Sequence, residues 1–314
     1  MYILGIDIGG SRVKFGLFDK DAVLIEKWDM LTQKDNLFNS IAEELKLYLA
    51  NKEITFDQII GYGIGIPGSV KDNFVICSVN LGLEKVNVVD EFKKAIGYDA
   101  LVSVKNDANL AALGEFAMAD NDYNSTVFIT LGTGVGGGVI IDHQIREGLN
   151  GICGEIGHMP IDERYRFNCC CGRRGCFETM VSAPGVIRLA KYHLRRTTEK
   201  SMLSNFYKFS AKKVFDFAKE GDAFCLKIVD EVCYNIAKGL AIISVTINPD
   251  AFIIGGGLSG AGDILIEYIK KHYENLCFSD AKDLDIILSK LGTYAGIYGA
   301  AYLIKDIINK KVQI

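Results

Sequence analysis

The chain has 314 residues, 49% of them apolar and 24% charged, a balance that supports a sizeable buried core and, at this length, about two domains. Thirty-five Lys and Arg against 39 Asp and Glu leave a net charge of −4, which argues against a nucleic-acid or anionic-membrane binder. No apolar run approaches the roughly 20 residues that cross a bilayer, and Met1 to Gly10 lacks the basic region and cleavage site of a secretory leader, so a cytoplasmic location is expected.

The first predicted elements are a strand from Tyr2 to Asp7, a tight turn at Gly9-Gly10 and a strand from Val13 to Asp19. Between Asn36 and Asn51, Leu37, Ile41, Leu45 and Leu49 recur every four residues and predict an amphipathic helix. Ile59 to Ile66 reads as a strand stopped by Pro67-Gly68, Leu101 to Val104 as a short strand, and Ala108 to Met118 as a helix. Val127 to Leu131, a glycine-rich turn and Val139 to Asp142 repeat the opening pattern, so that segments 4–19 and 128–142 share strand, turn, strand and closing Asp. Helix is predicted from Ala211 to Ile247 with a break at Gly221, then strand at Ala251 to Ile254, helix at Gly262 to Tyr273, strand at Ile286 to Leu288 and helix at Gly296 to Ile308. Alternating strands and helices define an α/β class, and the repeated hairpin predicts two domains of related topology.

Three glycine runs sit at strand ends. Asp7-Ile8-Gly9-Gly10-Ser11 sets a carboxylate before two residues without Cβ and a hydroxyl, a turn that exposes backbone N–H groups to phosphate; an ordinary hairpin explains the run equally well. The second run, Gly132 to Gly138 with Thr133 and Gly134, contains GxGxxG, yet strand rather than helix follows, so a dinucleotide fingerprint is rejected in favour of a phosphate hairpin. Gly255-Gly256-Gly257 follows a strand and precedes a helix, where a flat ring can lie against bare backbone.

Four of the nine cysteines fall between positions 169 and 176. Cys169, Cys171 and Cys176 with His158 supply three thiolates and an imidazole, the ligand set of a closed, structural zinc site. Cys170 could replace either neighbour, and a set of buried or redox thiols is the alternative. Cys77, Cys153, Cys225, Cys233 and Cys277 read as small core residues. Asn106-Asp107 lies between a strand and a helix, where an α/β site gathers its polar groups, although helix capping by Asp107 is the commoner explanation. Glu155 precedes His158 by three residues and Glu178 follows Cys176 by two, which pins both carboxylates beside the metal loop. Lys14, Arg173 and Arg174 read as surface or phosphate-side charges.

These segments carry a family resemblance. DIGGS at 7–11, GIPG at 65–68, NLG at 80–82, NDANLAALGE at 106–115, LGTGVGGG at 131–138, GEIGHM at 154–159, CCCGRRGCFE at 169–178 and INPDAFIIGGG at 247–257 resemble, in order, the ROK family of the actin-like ATPase superfamily. The resemblance implies two actin-like (ribonuclease H-like) domains around a cleft: a small one over 1–118 with a returning helix at about 296–314, and a large one over 119–295 with the zinc loop and a dimer surface. It implies sugar phosphorylation by ATP and Mg²⁺ in a homodimer with structural Zn²⁺. Asp107 would be the general base, and Asn80, Asn106, Glu155, His158 and Glu178 would bind the sugar along with it. Asp7, Gly9, Gly10, Ser11, Gly132, Thr133 and Gly134 would hold phosphates and magnesium, and Gly255, Gly256 and Gly257 would face adenosine. Ser11 stands where Thr is commoner, and Leu83 where Trp is common. VSAPGVIRLAK and SAKKVFDFAKEGD most resemble glucokinases, so a hexose kinase acting on glucose is expected, with N-acetylmannosamine, fructose, mannose or allose as other acceptors. A sugar-sensing repressor, the family's other class, would need a helix-turn-helix segment ahead of Tyr2.

Overall fold

In the computed structural model, which describes residues 1–312, the N-terminal apolar runs become strands buried on both faces. They are β1 (Tyr2–Ile8) and β2 (Arg12–Asp19); β3 (Leu24–Leu31), more exposed, forms the edge. Helix α1 (Leu37–Asn51) buries the predicted stripe of Leu37, Ile41, Leu45 and Leu49. After β4 (Ile59–Ile66) comes a small antiparallel flap of β5 (Ser69–Lys71), β6 (Phe74–Ser78) and β7 (Leu83–Asn87). Helix α2 (Val88–Ile96), strand β8 (Val102–Asn106) and helix α3 (Asp107–Ala117) complete this half. The sheet order is β3-β2-β1-β4-β8, with β4 and β8 parallel to β1 and β2 antiparallel to it. The hairpin register sets Asp7 opposite Lys14.

The second half repeats this plan. Strands β9 (Thr126–Leu131), β10 (Val135–Ile141) and β11 (Gln144–Ile145) precede a long excursion through the cysteine loop. Helices α4 (Glu178–Val181), α5 (Ala183–Leu194), α6 (Ala211–Lys219) and α7 (Ala223–Ile247) follow. The break between α6 and α7 is Gly221, at φ +89°, and Asp222 caps α7 by accepting the Cys225 N–H. The chain closes with β12 (Ala251–Gly255), α8 (Asp263–Leu276), β13 (Asp285–Leu288) and α9 (Ala295–Val312). The order β11-β10-β9-β12-β13 matches the first sheet strand for strand and sense for sense, so the likeness between segments 4–19 and 128–142 is a likeness of β1–β2 to β9–β10. The last two residues of the helix expected at 296–314 lie outside the described residues.

Strand β10 starts four residues before the predicted Val139. Gly136, Gly137 and Gly138 are strand residues, glycine because other chain segments cross here: a Cβ on Gly138 would meet the Ala112 Cβ at 2.4 Å, and one on Gly137 the Gly154 carbonyl at 2.8 Å. The turn proper shrinks to Gly132–Gly134. Helices α3 and α9 form the seam between the halves, α3 resting on β9 and β10, and α9 on β1 and β4. A Cβ on Gly299 would lie 1.8 Å from the Leu110 carbonyl oxygen, so only glycine admits this approach.

Candidate active site

Where the two halves meet, Asp7 lies one residue before the end of β1 and α3 begins with Asp107. The Asp7 side chain is only 17% exposed, with the Lys14 ammonium 3.9 Å away across the hairpin. Gly296, at the start of α9, makes room for it, since a Cβ there would sit 2.7 Å from the Asp7 Cγ. Burial pushes the Asp7 carboxyl up to about 7; Lys14 opposes this and the neighbouring Asp107 charge adds to it. Burial raises Asp107 as well, against the Ala108 N–H that its carboxylate accepts at 2.9 Å, while the Glu155 charge raises it further.

Capping of α3 falls to Asn106. Its Oδ1 accepts the N–H groups of Ala108 and Asn109 at 2.9 and 3.1 Å, and its Nδ2 donates to the Gly68 carbonyl at 3.0 Å. Asp107 is therefore not needed as the cap. Its carboxylate lines a cavity of about 310 Å³ together with Asp7, Lys14, Thr130, Gly256 and Thr293.

Lys14, which sequence patterning left as a surface or phosphate-side charge, is a wall of this cavity and donates to the Thr293 carbonyl. Its signal was the hairpin itself, because pairing across Gly9-Gly10 puts it opposite Asp7. Buried Glu115 steadies the segment leading to Thr293, accepting the N–H groups of Lys290 and Leu291 at 2.9 Å each and the Ser289 hydroxyl. Gly9 donates its N–H to the Arg12 carbonyl at 2.9 Å, Gly132 donates to Gly134 at 2.9 Å, and Ser11 and Thr133 are exposed at the two turns.

The third glycine run divides its labour. Gly255 is buried at the end of β12, its missing side chain admitting the Phe128 ring; Gly256 (φ +81°) lies on the backbone of Leu131; Gly257 is exposed with open space before it. Behind Gly257 lies a second cavity of about 310 Å³, walled by Ala183, Ala211, Phe215 and Leu258 with Ser210 and Lys212 at its polar edge. These residues, distant in sequence and of ordinary type, carried no local signal.

On the other side of Asp107, Asn80 is exposed over the Gly10 turn, where a Gly10 Cβ would be 3.6 Å from the Asn80 Cβ. Glu155 and His158 flank a short 3₁₀ turn, with the His158 Nε2 3.9 Å from the Glu155 carboxylate. Glu178 is tied to the second hairpin: its Oε2 accepts the Val135 N–H at 3.0 Å, and a Cβ on Gly134 would lie 2.6 Å from that oxygen.

The cysteine loop folds back through bridges between Pro160 and Cys176 and between Asn168 and Arg174, with Gly172 and Gly175 at φ +84° and +77°. Ligand atoms of His158, Cys169, Cys171 and Cys176 all lie within 4.8 Å of one another. The His158 Nδ1 is 3.5 Å from the Cys169 sulfur, and the Cys171 and Cys176 sulfurs are 3.6 Å apart. Tetrahedral zinc with bonds of about 2.3 Å to sulfur and 2.0–2.1 Å to nitrogen requires about 3.6 Å and 3.8 Å for such pairs, so the residues fit the ion. Cys170 turns toward the Glu178 carboxylate at 3.5 Å, and Cys169, Cys170 and Glu178 form a second group whose ligand atoms lie within 4.8 Å of one another. Cys225 and Cys233 are buried as expected, whereas Cys77 is exposed on the thin flap, where no second layer covers it, and Cys153 and Cys277 are half-buried.

A duplicated sheet with its polar groups gathered between the halves is the architecture of actin-like, ATP-dependent phosphotransferases. The chain belongs to the ROK family, whose model matches residues 3–307. It is 33% identical to a glucokinase of Halalkalibacterium halodurans over 97% of this chain and 95% of that one. It is 34% identical to a glucokinase of Thermotoga maritima over 97% of each. The structure of a ROK family glucokinase from Streptomyces griseus, in complex with glucose and AMPPNP, superposes with a TM-score of 0.76 at 28% identity, covering 96% of this chain and 99% of that one. Among the described residues no helix is long and apolar enough to cross a membrane.

Proposed function

We propose that the chain transfers the γ-phosphoryl group of ATP to the 6-hydroxyl of glucose. The observation that carries this reading is the Asp107 carboxylate, not needed as a helix cap and facing a cavity shared with Asp7 and Lys14. Asp107 takes the proton of the 6-hydroxyl as that oxygen attacks the γ-phosphorus, and ADP leaves on the far side. Asn80, Asn106, Glu155 and His158 hold the remaining hydroxyls, with Glu178 bracing the loop from behind. Magnesium, when bound with ATP, would neutralise phosphate charge; Asp7 would hold it, and the dication would favour the ionised carboxylate over the protonated form that burial promotes. Lys14 adds positive charge beside the phosphates, the two hairpin turns offer backbone N–H groups, and the apolar cavity behind Gly257 takes the adenine.

Zinc on His158, Cys169, Cys171 and Cys176 is structural, since four protein ligands leave no open position. Its role is to orient His158, whose Nδ1 faces the thiolates and whose Nε2 faces the sugar side. The domain division runs near residue 118, with α9 returning to the first half. A homodimer is supported by the exposed stripe of Tyr234, Ile242 and Val245 along α7, and a cytoplasmic location by nine cysteines that form no disulfide.

The test is kcat/KM for glucose, mannose, fructose, allose and N-acetylmannosamine with saturating MgATP. Glucose should lead and 6-deoxyglucose should give no product. A tenfold or greater preference for another sugar overturns the choice of acceptor.

A further inference from the structure

The proposed function divides its residues between the halves: Asp7, Asn80, Asn106 and Asp107 stand on the first, Glu155, His158 and Glu178 on the second. The loop from Arg146 to Gly154, which follows β11, spans the gap. At its start the Glu147 carboxylate meets the Lys105 ammonium at 2.6 Å, and both side chains are only about a quarter exposed, at 26% and 27%. Lys105 lies on β8, two residues before Asp107. Midway, Gly151 comes so close to the flap that a Cβ there would stand 3.0 Å from the Val70 carbonyl. The loop is closed by the Cys153 N–H donating to the Glu147 carbonyl at 3.1 Å, and it ends at Gly154 (φ +100°), pressed on the backbone of Gly137 in β10. Glu155 follows directly, its N–H bonded to Ile152 at 3.1 Å.

We infer that Lys105 and Glu147 are positioning residues, an ion pair across the cleft that holds the Glu147–Glu155 loop against β8 and so sets Glu155 and His158 opposite Asp107. The inference rests on the sugar-kinase reading and adds a determinant of sugar affinity that touches neither substrate. The geometry is that of a short lever: one end is clamped to the strand that leads into the base, the other to the second sheet, and a sugar-binding carboxylate lies just beyond. Leu149 and Ile152 at the loop's tip are 83% and 64% exposed and add little apolar burial, which leaves the ion pair and the Val70 contact to orient it.

The experiment is a double-mutant cycle on the full-length enzyme with Lys105→Met, Glu147→Gln and the charge exchange Lys105→Glu with Glu147→Lys. Each single variant should raise the KM for glucose by about three- to tenfold, between what an exposed pair and a fully desolvated one contribute, with the KM for ATP unchanged. The charge-exchanged double variant should recover most of the glucose affinity, a rescue that simple loss of fold stability does not produce. Lys93→Met, which breaks an ion pair confined to the first half, serves as the control and should leave both constants alone. Equal rises in the two KM values, glucose KM within 1.5-fold of the parent in both single variants, or no rescue on charge exchange would each overturn the inference. If the parent enzyme phosphorylates no sugar, the functional reading itself is at fault, and the two failures are told apart.

Discussion

Replacing Asp107 with Asn separates the proposed general-base role from helix capping, because Asn106 supplies the cap. Asn106 already accepts the Ala108 and Asn109 N–H groups, so the N-terminus of α3 keeps its cap in the variant. The new amide retains an oxygen for the 2.9 Å bond from Ala108, and what is lost is a negative charge at the positive end of the helix dipole, about 0.3–1 kcal/mol. Relief of a buried charge offsets part of that, so stability should change by less than about 1 kcal/mol. The chemical step should suffer far more: losing a general base costs about 10²–10⁴-fold in kcat, or about 3–5 kcal/mol of barrier. A second signature follows from the neighbouring charge. Because Asp107 contributes to holding Asp7 near 7, the variant should move the Asp7 titration downward, readable by carbon-detected NMR of labelled aspartate. The assay is a coupled ADP measurement with glucose and MgATP, run beside chemical denaturation. The base assignment is falsified if Asp107→Asn keeps more than about a tenth of the parent kcat. Near-normal turnover with a stability loss of about 1 kcal/mol would return Asp107 to the role of a cap.

Asp7→Asn should abolish MgATP-dependent turnover and yet stabilise the apo fold at alkaline pH. The native carboxyl titrates near 7, above its ordinary value of 3.8, so the native state holds the proton more tightly and parent stability falls as pH rises between these values. The variant lacks this loss and should exceed the parent by on the order of 2–4 kcal/mol at pH 8 in denaturant melts, with little difference at pH 4; a gap independent of pH would contradict the buried, raised carboxyl. Cys176→Ser, at a buried ligand position, should lose one zinc per chain by elemental analysis and raise the glucose KM more than the ATP KM. A metal-free parent with full activity would sink the zinc assignment.

Local patterns were the legible ones. Cysteine spacing pointed to a metal loop because its ligands lie within one short fold-back, and the hairpins declared themselves because glycine and a carboxylate at a strand end are local chemistry. Which way Cys169 and Cys170 turn is a matter of side-chain direction, which spacing of one or two residues does not encode. Asn106 and Asp107 both cap helices well, so only the hydrogen bonds reveal that Asn106 takes the cap. Gly136 to Gly138 read as a turn and form a strand, because their requirement is long-range: α3 and Gly154 press on them. The flap of β5 to β7 escaped notice for a related reason, its short strands exposing Phe74 and Ile76 rather than alternating cleanly. The cavity behind Gly257 draws on α5, α6 and the turn after β12, and no window of sequence contains it.

The hydrogen bond from Val135 to Glu178 bears on how these parts act together. Glu178 opens α4, two residues after the last cysteine of the metal loop, and its other oxygen faces Cys170 at 3.5 Å. One carboxylate thus joins the cysteine loop to the second hairpin, and the Ala183 N–H, bonded to the Gly132 carbonyl at 2.8 Å, adds a second tie. The first half is equally coherent, since Asp7 lies near a strand end and Asp107 begins a helix around one sheet, with Gly65 wedged beside both. Two preassembled sets of groups meet across the cleft, and neither alone places a hydroxyl between base and phosphate. On the proposed function a sugar would engage both sets at once, whereas water would meet Asp107 alone, so selectivity against water would arise from assembly of the site rather than from any single side chain.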